Sequence, residues 1–302
     1  MLRSGRVNGP APELRGLGSA RRRQHPRVYS RTVTPASRSH RAGTRLRRGR
    51  GSALHTDWVM RKAAIGSLLL TVGLGTVGGL MFLAAFQFRL EWFADPAPLV
   101  AAGPTAAELL RWAAIIDLFS YYLATAVVAY VLWTALRSRG PALADLSTLA
   151  ALGYVVAGGA SAAVLAMVGP MLMYEHVRAG ADQAGVALAF GVLVEVVFRA
   201  IWQFLDGYLL ASWWLGVGLL LLVDQPRLAR LSLILSAVVA IGGLFTALDF
   251  DVARYAALVV VFALWTTWSI WLIILLWQRL PPFALLPGGG TGRQSSRVRE
   301  DR

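Results

Sequence analysis

Cysteine is absent from all 302 residues. That excludes disulfides, thiolate-held metals and clusters, and a cysteine nucleophile, and it leaves the redox compartment undetermined. Lysine and asparagine are nearly absent as well: Lys62 and Asn8 stand alone, while arginine, alanine and glycine abound. This bias is that of a GC-rich coding sequence and points to a high-GC bacterial host. Charge of either sign is scarce, at 15% of residues against 56% hydrophobic, with a mean hydropathy of +0.56. A soluble domain cannot keep so much apolar surface from water, so a bilayer is the expected solvent.

The net charge of +14 looks like that of a nucleic-acid binder until it is divided along the chain. Residues 1–57 hold fourteen Arg against Glu13 and Asp57, so almost all of the excess lies there. No nucleic-acid partner is expected of the rest. Residues 1–58 are rich in Arg, Ser, Gly and Pro without apolar periodicity, and read as a disordered tail. Two accounts fit it: a basic arm for anionic lipid or nucleic acid, or upstream sequence before a true start at Met60. The apolar run 63–86 is too long for the core of a cleavable signal peptide.

From residue 59 to 281 the chain alternates short polar loops with apolar runs of the ~20 residues that span a bilayer as a helix. Six crossings are expected, near 63–86, 111–136, 147–173, within 183–223, at 229–248 and at 255–280. The second is approached through Thr105 and Glu108, which have the spacing of a capping box. Pro281-Pro282 stops the last, and 282–302 reads as a flexible basic cytoplasmic tail. The runs lack the two-residue alternation of a membrane β-barrel. The expected fold is therefore an all-α polytopic transmembrane bundle.

Residues 181–223 are long enough for two crossings, which would make seven. Charge selects six. With a cytoplasmic N-terminus, six crossings put Arg61, Lys62, Arg137, Arg139, Arg227, Arg230, Arg279 and the C-terminal Arg residues inside, leaving Arg89, Arg111, Arg178 and Arg254 outside. Seven would place Arg227, Arg230 and the basic C-terminus on the wrong side. Both termini are thus expected in the cytoplasm, the protein in the inner membrane, and 183–202 as an additional helix preceding a crossing that starts near Gln203.

Charges at membrane depth cost about 2.5–3.5 kcal/mol each and mark function or pairing. Asp117, Tyr121 and Thr125 recur at i, i+4 and i+8 with Ser120 beside them, a polar stripe on one helical face. Glu195, Arg199, Gln203 and Asp206 follow at spacings of four, four and three, and Glu195 can pair with Arg199 one turn on. If the two stripes meet, Asp117, Tyr121, Glu195, Arg199 and Asp206 form a polar intramembrane site. The plainer account has Asp117, about 9 Å along the helix from Arg111, reaching the outer interface and the Glu195 stripe forming the wet face of an interfacial helix.

Gly73-Leu74-Gly75-Thr76-Val77-Gly78 matches G-x-G-x-x-G but lies inside an apolar helix with no strand before it, which removes the nucleotide reading. Gly75 and Gly79 form a G-x-x-x-G pair, a close-packing surface and a possible contact for self-association, with Gly158, Gly159 and Ser161 as a matching small-residue surface. His176 is the one histidine of the membrane region, too few for bis-histidine haem. Glu175, His176 and Asp182 could at most form a loose metal site. No Ser-His-Asp set, H-E-x-x-H or P-loop occurs, so neither an enzyme nor a cofactor is expected. Trp92, Trp112, Trp133 and Trp277 sit near helix ends, as interfacial tryptophans do, while Trp213-Trp214 and Trp265, Trp268 and Trp271 lie deeper.

Trp213-Trp214-Leu215-Gly216, then Pro226-Arg227-Leu228-Ala229-Arg230-Leu231, a helix with Gly242-Gly243 and finally Leu264-Trp265-Thr266-Thr267-Trp268 resemble a group of six-helix bacterial membrane proteins filed as a domain of unknown function. The resemblance covers residues 60–280 in layout and implies six helices and no assigned activity. Two functions are expected from these residues: a non-enzymatic accessory or regulatory membrane component, or a small-solute transporter using the polar stripes. Convergence of the stripes on one cavity would favour the second.

Overall fold

The computed structural model describes residues 39–93 and 95–284, with side chains described for most residues from Asp57 to residue 284. Two units are distinguished, Met1–Gly43 and Thr44–Arg302, and the second contains every apolar helix. Residues 1–38 of the Arg-rich tail and the C-terminal stretch from 285 lie outside the described residues.

Six helices are long and apolar enough to cross a membrane: Asp57–Ala85, Pro104–Leu136, Pro141–His176, Gln183–Leu221, Pro226–Ala247 and Ala256–Gln278. No strand occurs among the described residues. The first crossing belongs to α1 (Ser39–Ala85). The second is α2 (Pro104–Asp117) and α3 (Ala124–Leu136), joined by a π-helical stretch, Leu118–Leu123. The third is α4 (Pro141–His176). The fourth is α5 (Gln183–Val194) and α6 (Asp206–Leu221), joined by a second π-helical stretch, Glu195–Leu205. The last two are α7 (Pro226–Ala247) and α8 (Asp251–Gln278).

Three expectations are corrected. The helix begins at Ser39, well inside the stretch read as disordered, because Arg and Ala favour helix and extending a nucleated helix is cheap. The 183–221 segment has no break near Gln203; it is one continuous helix of 39 residues, so the extra helix and the crossing are a single rod. Thr105 does not cap α2: Gly103 is the N-cap, with no side-chain bond, and Pro104 opens the helix. Pro141 and Pro226 open α4 and α7 in the same way. Proline suits this position because its φ is already helical and its missing N–H would have had no intrahelical partner.

The helix α4 is central, packing against α2, α3, α5 and α6, while α7 lies between α6 and α8. Along α1, Thr71, Gly75 and Gly78 meet the α2–α3 helix at Ser120, Tyr121 and Ile116. At the opposite end Arg61 reaches α8, donating to the Leu276 carbonyl at 2.9 Å while paired with Asp57 one turn before it.

Two apolar clusters fill the interior. One gathers Leu132, Leu136, Trp213, Trp214, Leu221, Trp268 and Leu276, at the end where Arg61 sits. The other gathers Phe82, Phe86, Trp92, Leu99, Leu110, Met173, Phe190 and Phe198, at the opposite end. Trp92 is buried in protein, held by a loop of two short 3₁₀ turns, whereas Trp112 and Trp277 are exposed. Between the two clusters lies the cavity described next, with Trp202 packing against both.

Candidate functional site

Both π-helical stretches carry the chemistry. A π turn closes i→i−5 hydrogen bonds and so holds one residue more than an α turn, which rotates whatever follows it. In the first, Ala124 N–H bonds to the Phe119 carbonyl, and in the second Asp206 N–H bonds to the Ile201 carbonyl. The disturbed ladder leaves the Ser120 carbonyl open to another donor, and Thr71 of α1 donates to it at 2.7 Å. Asp117 immediately precedes the first stretch and Asp206 immediately follows the second.

These turns bring the two carboxyl groups to one cavity of about 640 Å3. Asp117, Tyr121 and Tyr122 come from the second crossing, Tyr154 from α4, and Trp202, Gln203 and Asp206 from the fourth. Phe82, Phe198, Phe262 and Trp265 complete the aromatic wall, so all six crossings contribute. The lining is mainly apolar, and among its described residues none is Lys, Arg or His.

Among the described residues Asp206 is the most enclosed charged side chain, 2% exposed. The Tyr122 hydroxyl donates to its Oδ2 at 3.2 Å, and Oδ1 is buried with no hydrogen-bond partner. Gln203 Oε1 is in the same condition. Tyr122 stacks obliquely on Tyr154 with ring centroids 4.8 Å apart, and Tyr121 meets Trp265 edge-on at 5.2 Å. Space for this packing comes from glycine. A Cβ at Gly158 would overlap the Tyr122 ring and the Asp206 carboxylate, and one at Gly75 would stand 2.9 Å from the Tyr121 ring. The Gly75–Gly79 face is thus turned inward: Gly75 is covered by Tyr121, and Gly79 lines the cavity. Gly158 and Gly159 meet Tyr122 and Leu118, not α1.

The long stripe divides. Gln203 and Asp206 line the cavity, but Glu195 and Arg199 do not; they form an ion pair on the outside of the bundle, and Arg199 also pairs with Asp249 in the turn between α7 and α8. The physical reason is the π stretch, which starts at Glu195 and spoils the α-helical phase that put all four on one face. Asp117 is half-buried and lines the cavity rather than serving an interface, while Glu108 pairs with Arg111 and accepts from the Tyr174 hydroxyl. Thr125 and Ser120 are buried outside the lining.

Tyr122 and Tyr154 were not foreseen from the sequence. At α-helical spacing Tyr122 falls off the Asp117–Tyr121 stripe by about 100°, and the π turn restores it. Among the described residues no group of three metal-binding side chains occurs: Glu175 pairs with Arg178, and Asp182 caps α5 through Gly185 N–H. Trp213, Trp214 and Trp268 are core, with Trp268 Nε1 donating to Ser232 Oγ at 2.9 Å. Comparison with protein-family models, curated proteins and solved structures returned no match, so the resemblance in layout contributes no activity and the cavity's own residues carry the functional argument.

Proposed function

We propose that this is a non-enzymatic, multi-pass protein of a bacterial inner membrane that binds a small solute in its central cavity and carries it across the bilayer. One observation supports this above the others: Asp117 and Asp206, from different crossings, line the same cavity with three tyrosines and Gln203. Carboxyl groups at such depth are costly without a partner, and a purely structural pair would be expected to satisfy itself. Asp206 Oδ1 and Gln203 Oε1 have no protein partner. An accessory role without a solute gives no reason for that expense.

The proposed orientation puts both termini in the cytoplasm. It is supported by the grouping of Arg61, Lys62, Arg137, Arg139, Arg227, Arg230 and Arg279 at one end of the six crossings. Reporter fusions after Pro226 and at the C-terminus should both read cytoplasmic, and a periplasmic signal from either overturns the orientation.

The cavity reading is tested by filling it. A Cβ at Gly79 meets nothing within 4 Å and Gly79 lines the cavity, so Gly79→Trp is the substitution expected to direct an indole into it. In proteoliposomes given a mixed panel of small cationic, anionic and neutral solutes, the native chain should take up at least one class. Gly79→Trp should lose that uptake while keeping its unfolding midpoint. Uptake by neither, or equal uptake by both, favours the accessory role.

A further inference from the structure

Resting on the cavity reading, we infer that the solute is an amphipathic organic ammonium ion, an apolar body carrying N–H⁺ donors, which reaches the site from the lipid through the gap between α1 and α8. The unpaired polar atoms set its polarity. Of the cavity-lining side chains, those with a buried atom left without a partner are Gln203 and Asp206, and both atoms are acceptors. A ligand completing the site supplies donors. An anion or an ether would add acceptors to acceptors.

Charge points the same way. Asp117 and Asp206 line the cavity and no described lining residue is cationic. The nearest arginine on the same helix, Arg199, is held outside by Glu195 and Asp249, so its charge is already offset. A buried carboxylate requires a positive partner or a proton, and an incoming ammonium provides the first. The walls fit the rest of the molecule. Tyr121, Trp202 and Trp265 present aromatic surface that attracts a desolvated cation and also accommodates an apolar body.

The route follows from the wall that is least covered. Leu80 of α1 and Val259 and Phe262 of α8 line the cavity yet are 57%, 71% and 44% exposed on the bundle's flank. The two helices touch at the other end, through Arg61 and Leu276. A flank of leucine, valine and phenylalanine admits a molecule whose apolar body already lies in the bilayer, its ammonium head at the headgroups, far better than one arriving from water.

The test compares three molecules with one body: phenylbutylammonium, phenylbutyrate and uncharged phenylbutanol, measured by equilibrium binding to the full chain in lipid nanodiscs. The ammonium should bind about tenfold or more tighter than either relative, as a charge-assisted hydrogen bond requires. Asp206→Asn should abolish that preference. Asp117→Asn, on a half-buried side chain away from the Tyr122 bond, should weaken it too, and serves where the first variant fails to fold. Preference for phenylbutyrate or phenylbutanol overturns the inference, as does an unchanged ammonium affinity in both variants. If only a neutral or anionic solute binds, and Gly79→Trp blocks it, the cation assignment falls while the cavity reading stands. If nothing in the panel binds, both fall.

Discussion

Gly158→Leu is expected to dismantle the site and with it much of the fold, and Gly158→Ala should already cost about 1–3 kcal/mol as an overpacked core position. Gly158 is buried in α4 where three crossings meet. A Cβ there would occupy space held by the Tyr122 ring on one side and the Asp206 carboxylate on the other. Neither neighbour can retreat cheaply: Tyr122 is stacked on Tyr154, and Asp206 is fixed on the first turn of α6. The Gly158 carbonyl also accepts from Trp202 Nε1 at 3.4 Å, so a shift of this backbone loosens the aromatic that joins the two apolar clusters. Gly159→Ala is the control, because its Cβ meets Leu118 and Tyr122 no closer than 3.3 Å. Thermal unfolding in detergent should rank the variants native, Gly159→Ala, Gly158→Ala, Gly158→Leu. Equal midpoints for the two alanine variants would show that the close approach at Gly158 is not as described.

The second large effect is Trp214→Ala, at about 3–5 kcal/mol. Trp214 is fully buried, edge-on to Trp265 at 5.0 Å and stacked with Trp213 at 5.7 Å. Its Nε1 makes no hydrogen bond, so the loss is one of packing alone. Trp268→Phe gives the contrast, since it keeps a ring in place but removes the bond to Ser232 Oγ. Such interhelical bonds are worth about 0.6 kcal/mol on average inside a membrane. Trp214→Ala should therefore be several times the more damaging. Were the order reversed, the Trp268–Ser232 bond between α8 and α7 would matter more than the ring packing of α6 against α8.

The number of crossings was legible because hydrocarbon thickness acts on length and composition, and both are written directly in the chain. Arginine placement decided six against seven where hydropathy was silent. The carboxyl groups were legible too, since Asp117 and Asp206 are conspicuous in apolar surroundings. What failed was phase. Reading Glu195, Arg199, Gln203 and Asp206 as one face assumed an unbroken 3.6-residue period, and the π stretch after Val194 divides them. The same assumption hid Tyr122. Gly158 was visible as a packing residue, but its neighbours come from α3's approach and from α6, distant in sequence, and no local pattern names them. The Arg-rich helix before residue 57 was missed because low apolar content argues against burial, which is a different matter from helicity.

The two π stretches make the cavity a product of residue count. Removing one residue from either would restore the ordinary hydrogen-bond ladder and turn the two flanking helical segments by about 100° relative to one another, parting Asp117 from Tyr122 in the first case and carrying Asp206 off the cavity wall in the second. Conversely, a single-residue insertion into an unbroken α-helix is enough to bring a carboxyl group inward without altering any side chain. A site of this kind can be gained or lost by one codon, while the six crossings around it remain intact.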